Sequence, residues 1–165
     1  MMPKVMLDTS FLIRLVNKNE SLHSNSYNYF KYFLEKKFDM ACSTIAIAEY
    51  CVGDSYSNIP VRNIQILPFN FDHAIKAGEY AKCLFEQRKA GNLTVSDRKI
   101  IPNDTKMFAQ SEIDSEIKYF ACSDTECQKI YDTLVSHSLV TFDFIDISIP
   151  YQEYFGILPF DTSKA

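Results

Sequence analysis

The 165-residue chain contains no tryptophan, only four glycines and only six prolines. With 47% hydrophobic residues beside so little Gly and Pro, a disordered or low-complexity chain is excluded and one packed domain is expected. Long apolar runs are also missing: no window approaches the ~18–20 continuous apolar residues of a membrane span. Asp8 and Arg14 interrupt the one apolar stretch near the N-terminus, so no signal peptide is expected and the cytoplasm is the expected compartment. There is no excess of positive charge. Seventeen basic residues face 21 acidic ones, net -4, so nucleic acid would have to be met by a local basic face. The five cysteines (Cys42, Cys51, Cys83, Cys122, Cys127) form no Cys-x-x-Cys pair. That argues against a disulfide framework and against structural zinc, and leaves them as small apolar residues in a reducing compartment.

What is present is an alternation of short apolar strands with helical segments. Strands are expected over 4–7, 39–42, 63–69, 119–122 and 139–144. Helices are expected over 9–16, 24–37, 45–52, 74–90, from Pro102 through Ile113, and over 126–135. Ser43 or Thr44 is the expected cap of the third helix and Asp72 of the fourth, with Gly53 and Gly91-Asn92 as stops. This order predicts an α/β domain around a central, mostly parallel sheet. Most of the 13 Phe and 10 Tyr should fill its core. The segment 148–165 is too apolar for a loose terminus, with Tyr151, Tyr154, Phe155, Leu158 and Phe160. It is expected to pack back on the domain of residues 1–147 or on a partner.

In parallel α/β sheets, functional groups gather at the carboxyl ends of strands. Asp8 follows the first strand, Glu49 lies on the helix after the second, Asp104 opens a later helix, and Asp124 follows another strand. Helix capping explains Asp8, Asp104 and Asp124 individually. Glu49 is harder to explain that way, because it falls on the apolar helical stretch Ile45-Ala46-Ile47-Ala48. Carboxylates that converge repel one another unless a cation sits among them, and an all-oxygen set without His or Cys suits Mg²⁺ or Mn²⁺. His23, His73 and His137 occupy unrelated contexts, so zinc is poorly supported. Asp54, Asp97, Asp114 and Asp132 have no strand-end placement and default to the surface, although Asp132 lies two helical turns beyond Asp124.

The stretches "VMLDTSFLIRLV", "STIAIAEYCVG", "IIPNDTKMFAQSE" and "YFACSDTECQKIYD" resemble, in order, the four acidic motifs of the PIN domain family. The resemblance covers about residues 4 to 147. It implies a three-layer α/β/α domain acting as a metal-dependent ribonuclease, like the VapC-type toxins of toxin–antitoxin pairs. Carried over, Asp8, Glu49, Asp104 and Asp124 become the catalytic metal ligands, with Thr9, Ser10, Asn103 and Ser123 as supporting polar residues. RNA is then the substrate and Mg²⁺ or Mn²⁺ the cofactor, with an antitoxin protein and a second copy as candidate partners.

Basic residues between 76 and 106 (Lys76, Lys82, Arg88, Lys89, Arg98, Lys99, Lys106) could meet RNA phosphates, although solvated helix faces explain them one by one. Arg98, Lys99 and Lys106 flank Asp104 and are the first choices. Two readings compete with the enzyme. One is a catalytically weak or inactive module of the same fold that binds RNA or a protein. The other is an Asp-nucleophile phosphatase or receiver domain. The phosphatase would want an acid two residues after Asp8, where Ser10 stands. The receiver would want an acidic pair before its strand-end Asp and a late Lys, and neither is in place.

Overall fold

The computed structural model describes residues 2–95 and 100–157. Five strands among these residues form one sheet: β1 (Lys4–Leu7), β2 (Asp39–Ser43), β3 (Ile64–Leu67), β4 (Ile117–Cys122) and β5 (Asp143–Asp146). Their order is β3-β2-β1-β4-β5 and every pairing is parallel. Among the described residues, seven α-helices accompany them: α1 (Thr9–Val16), α2 (His23–Glu35), α3 (Thr44–Tyr50), α4 (Phe71–Lys89), α5 (Ile100–Ile113), α6 (Thr125–Ser136) and α7 (Tyr151–Tyr154). Among the described residues, no helix is long and apolar enough to cross a membrane.

The central strand shows why the sheet is built this way. Val5, Met6 and Leu7 are wholly buried, as expected for a parallel strand covered on both faces. Phe11 and Phe33 pack on each other from α1 and α2. Phe108 of α5 meets Phe120 of β4 edge to face.

The chain lays β2 and β3 on one side of β1, then crosses to lay β4 and β5 on the other. The strand order therefore reverses between β1 and β4, and a crevice opens there beyond the strand ends. Leu7 pairs with Cys42 and with Ala121, so Asp8, Ser43 and Ser123-Asp124 emerge at the same sheet edge.

Several boundaries differ from the sequence reading. Asn70, not Asp72, caps α4: its side chain accepts from the His73 N–H while His73 Nδ1 accepts from the Asn70 N–H. Asp72 is a first-turn acid instead. The last strand is Asp143–Asp146 rather than 139–144, because Leu139 and Val140 belong to the turn that leaves α6. Helix α5 starts at Ile100, which puts Pro102 in its first turn, where the missing N–H is harmless.

After β5 the chain returns across α2. The Tyr29 hydroxyl donates to the Ile149 carbonyl at 2.8 Å and Asn25 donates to the Ile147 carbonyl at 2.9 Å. Tyr151 and Phe155 each lie 4.8 Å from the Tyr32 ring. Leu158 and Phe160 lie outside the described residues.

Candidate active site

A cleft of about 280 Å³ opens above the β1/β4 edge, lined by Asp8, Thr9, Ser10, Ile13, Arg14, Glu49, Asn103, Asp104 and Asp124. Four acids from four parts of the chain thus face one space. A larger hollow of about 360 Å³, lined by Asp72, Ile75, Lys76, Glu79 and Ile113, shares no residue with it. Its charges include the Lys76–Glu79 pair and it gathers no comparable set of acids.

Asp8 is buried and caps α1, with Oδ2 accepting from the Ser10 N–H at 2.9 Å. The same oxygen accepts from the Cys122 thiol at 3.2 Å. Asp124 caps α6 through Oδ1, which accepts from the Glu126 N–H at 2.8 Å. Capping therefore engages one oxygen of each carboxylate, so capping and ion binding are compatible roles. Asp104 is different. It is the fifth residue of α5, too far in to satisfy the orphan N–H groups of the first turn.

Asp104 is also the costliest group in the cleft. Its Oδ2 is buried with no hydrogen-bond partner among the described residues. Burial, followed by the charges of Asp8, Asp124, Glu49 and Glu126, pushes its pKa up to about 8. Glu49 is raised as well, first by burial and further by Asp8, against lowering contributions from the Thr9 hydroxyl, Lys106 and Asn103. The Thr9 hydroxyl donates to Glu49 Oε2. These are the marks of an acidic cluster lacking a countercharge.

The supporting residues divide unevenly. Ser10 Oγ accepts from the Ser123 N–H at 3.2 Å and lies 3.5 Å from the Cys122 sulfur. The Ser123 hydroxyl is buried without a partner among the described residues. Asp8 is contacted instead by the Cys122 thiol, one residue before Ser123. Lys106 acts on Glu49, whereas Arg98 and Lys99 lie outside the described residues. Lys76, Lys82, Arg88 and Lys89 sit on α4, and Asp132 on α6; none of them lines the cleft.

The sequence reading missed Arg14 and Cys122 as members of this neighbourhood. Arg14 stands one helical turn after Ser10, and that spacing was the available signal.

The donor set suits a hard divalent cation: carboxylate oxygens, no imidazole in the cleft, and one buried oxygen without a partner. Among the described residues, no three His, Cys, Asp or Glu side chains are already gathered around one ion position. The acids line the walls of the cleft instead of closing on its centre.

No family model matches the sequence, and no curated relative does. Solved structures are similar in fold. A VapBC complex from Salmonella typhimurium bound to DNA matches with a TM-score of 0.55 at 18% identity, over 88% of this chain and 99% of that one. VapBC2 from Rickettsia felis, bound to a DNA fragment from its promoter, matches with a TM-score of 0.55 at 17% identity, over 86% and 98%. VapC20 from Mycobacterium tuberculosis, described as a toxin cleaving the Sarcin-Ricin loop, matches with a TM-score of 0.51 at 15% identity, over 75% and 92%. Together with the all-parallel five-stranded sheet, these likenesses give the chain a VapC-like PIN fold.

Proposed function

We propose that the chain is a toxin-type endoribonuclease that hydrolyses RNA phosphodiester bonds with Mg²⁺ or Mn²⁺. The observation that carries this reading is the partnerless, buried Oδ2 of Asp104 in a cleft shared with Asp8, Glu49 and Asp124. A buried acid pushed toward neutrality by its burial and by four like-charged neighbours destabilises the fold unless a cation compensates it. The likeness to VapC20, a toxin named for cutting an RNA loop, supports the substrate class. The two VapBC complexes support an antitoxin protein as partner.

Asp8, Glu49, Asp104 and Asp124 would hold the cation. When bound, it would make water a better nucleophile and offset charge on the leaving oxygen of the phosphodiester. The chain's own residues do the rest. Thr9 orients Glu49 through its hydroxyl, and Glu49, its pKa raised by burial, must lose its proton before it can hold the cation. Ser10 and Cys122 keep Asp8 in place at the strand end. Lys106 adds a positive charge beside Glu49 for a backbone phosphate.

The test is cleavage of RNA by the purified chain. Wild type cuts in Mn²⁺ and not in EDTA, while Asp8→Asn and Asp104→Asn fold but do not cut. RNA that is bound without being cut under every metal condition would return the chain to the binding-module reading.

A further inference from the structure

We propose that single-stranded RNA leaves the acidic cleft over a track made by Arg14, His23 and Tyr27. The Arg14 guanidinium meets a backbone phosphate and the Tyr27 ring carries a base. The proposal rests on the ribonuclease reading and names residues that would hold its substrate.

Arg14 lines the cleft beside four carboxylates, yet among the described residues it forms an ion pair with none of them. Its Nη1 donates to the Ser10 carbonyl at 3.3 Å, which steadies the guanidinium at the rim. Its Nε is buried without an acceptor. Buried N–H groups are rarely left unpaired, and the fork of a guanidinium pairs bidentately with phosphate oxygens. A solvated surface arginine would show neither the buried Nε nor the place in the cleft wall.

The Arg14 carbonyl lies 2.8 Å from His23 Nδ1 at the first residue of α2, which ties α1 to the start of α2 beside the cleft wall. The His23 ring stacks on Tyr27, with centroids 6.1 Å apart and planes 25° from parallel. Tyr27 is 49% exposed, although its neighbours in the helix, Ser26 and Tyr29, are buried. Lys31, one turn further, holds its Nζ 5.7 Å from the Tyr27 centroid. Lys31 is itself exposed, so it can swing to a phosphate when a base takes its place on the ring.

An exposed aromatic ring oriented by a neighbour, with cations spaced along it, is the arrangement that binds unpaired nucleotides. A lone exposed tyrosine on a solvated helix would carry little weight. Its link through His23 to an arginine in the cleft wall whose Nε lacks an acceptor is what marks the direction.

The experiment uses the full chain carrying Asp104→Asn, so that RNA is held and not cut. A fluorescein-labelled single-stranded RNA of roughly 12 nucleotides is titrated by anisotropy at several salt concentrations. Tyr27→Leu weakens binding about tenfold with an unchanged salt slope, and Tyr27→Phe keeps it, because stacking needs the ring and not the hydroxyl. Arg14→Gln weakens binding and lowers the slope of log K against log salt by about 0.7, the loss of one phosphate contact on a single strand. On an abasic strand the Tyr27→Leu effect disappears while the Arg14→Gln effect persists. If the parent binds RNA and both variants match it in affinity and slope, the track is wrong and the ribonuclease reading stands. If the parent binds no RNA at any salt, both fall.

Discussion

The thiol of Cys122 donates to Asp8 Oδ2 across 3.2 Å, and the same sulfur accepts from the Asp124 N–H at 3.3 Å. One buried atom thus ties an acid at the end of β1 to another just past the end of β4. The two strands are neighbours at the point where the sheet order reverses, so this link spans the crevice.

Cys122→Val keeps the position apolar, at the cost of about one extra methyl group, but removes both hydrogen bonds. It should reduce metal-supported RNA cleavage about tenfold or more, as lost outer contacts to ligands commonly do. Cys122→Ser restores a donor and an acceptor and should retain more activity than Val. Steady-state cleavage rates at saturating Mn²⁺, read beside melting temperatures, separate this positioning effect from simple unfolding.

Asp104 makes metal-free stability depend on pH. Its carboxyl ionises near its ordinary value of 3.8 in the unfolded chain but only at about 8 in the folded one. The folded state keeps a proton that the unfolded chain has lost, so stability falls as pH rises through that window and levels off above it. Asp104→Asn removes the penalty and should raise the metal-free melting temperature at pH 8 by about 5 °C or more. Mn²⁺ should stabilise wild type more at pH 8 than at pH 6, and this shift should be largely lost in the variant. Differential scanning fluorimetry checks all three statements.

Thr9 opposes the rise in the Glu49 pKa by donating its hydroxyl to the carboxylate. Thr9→Val removes that donor, so the Glu49 pKa should climb further. The acid limb of the cleavage rate against pH should then move to higher pH. Thr9→Ser should leave the limb in place.

The return of the chain over α2 is a packing element. Phe155 lies 4.8 Å from Tyr32, 6.0 Å from Phe38 and 5.9 Å from Tyr119. Phe155→Ala should cost about 2 kcal/mol in urea unfolding, less than a fully buried Phe because this ring is half-buried. Deletion of residues 148–165 should cost more, since it also removes Tyr151 and the Ile149 carbonyl that accepts from Tyr29.

Much of the architecture was legible because local signals agreed. Val5-Met6-Leu7 followed by Asp8-Thr9-Ser10 reads as buried strand, cap and helix, and that is how it folds. Where two neighbours could play one part, the sequence reading took the wrong one, Asp72 for Asn70. Asn70 and Asp72 are both good caps, and the partner that decides is His73, which closes a box with Asn70. Leu139 to Phe144 is a continuous apolar-rich run, so nothing local says that its first half serves as a turn.

In the site, four acids in order on an alternating pattern were enough to bring Asp8, Glu49, Asp104 and Asp124 to one cleft. Which small polar group touches Asp8 was not legible. Ser123 was read as a supporting residue, but the contact to Asp8 comes from Cys122, the last residue of β4. Arg14 was read only as a charge interrupting an apolar stretch, because its place in the cleft wall depends on how α1 packs.

The most direct test is total RNA incubated with wild-type chain and with Asp104→Asn, each in Mn²⁺ and in EDTA, with products mapped by primer extension. The account predicts discrete cuts for wild type in Mn²⁺ alone, and none in the other three lanes. The same cuts in EDTA, or from Asp104→Asn in Mn²⁺, would contradict it.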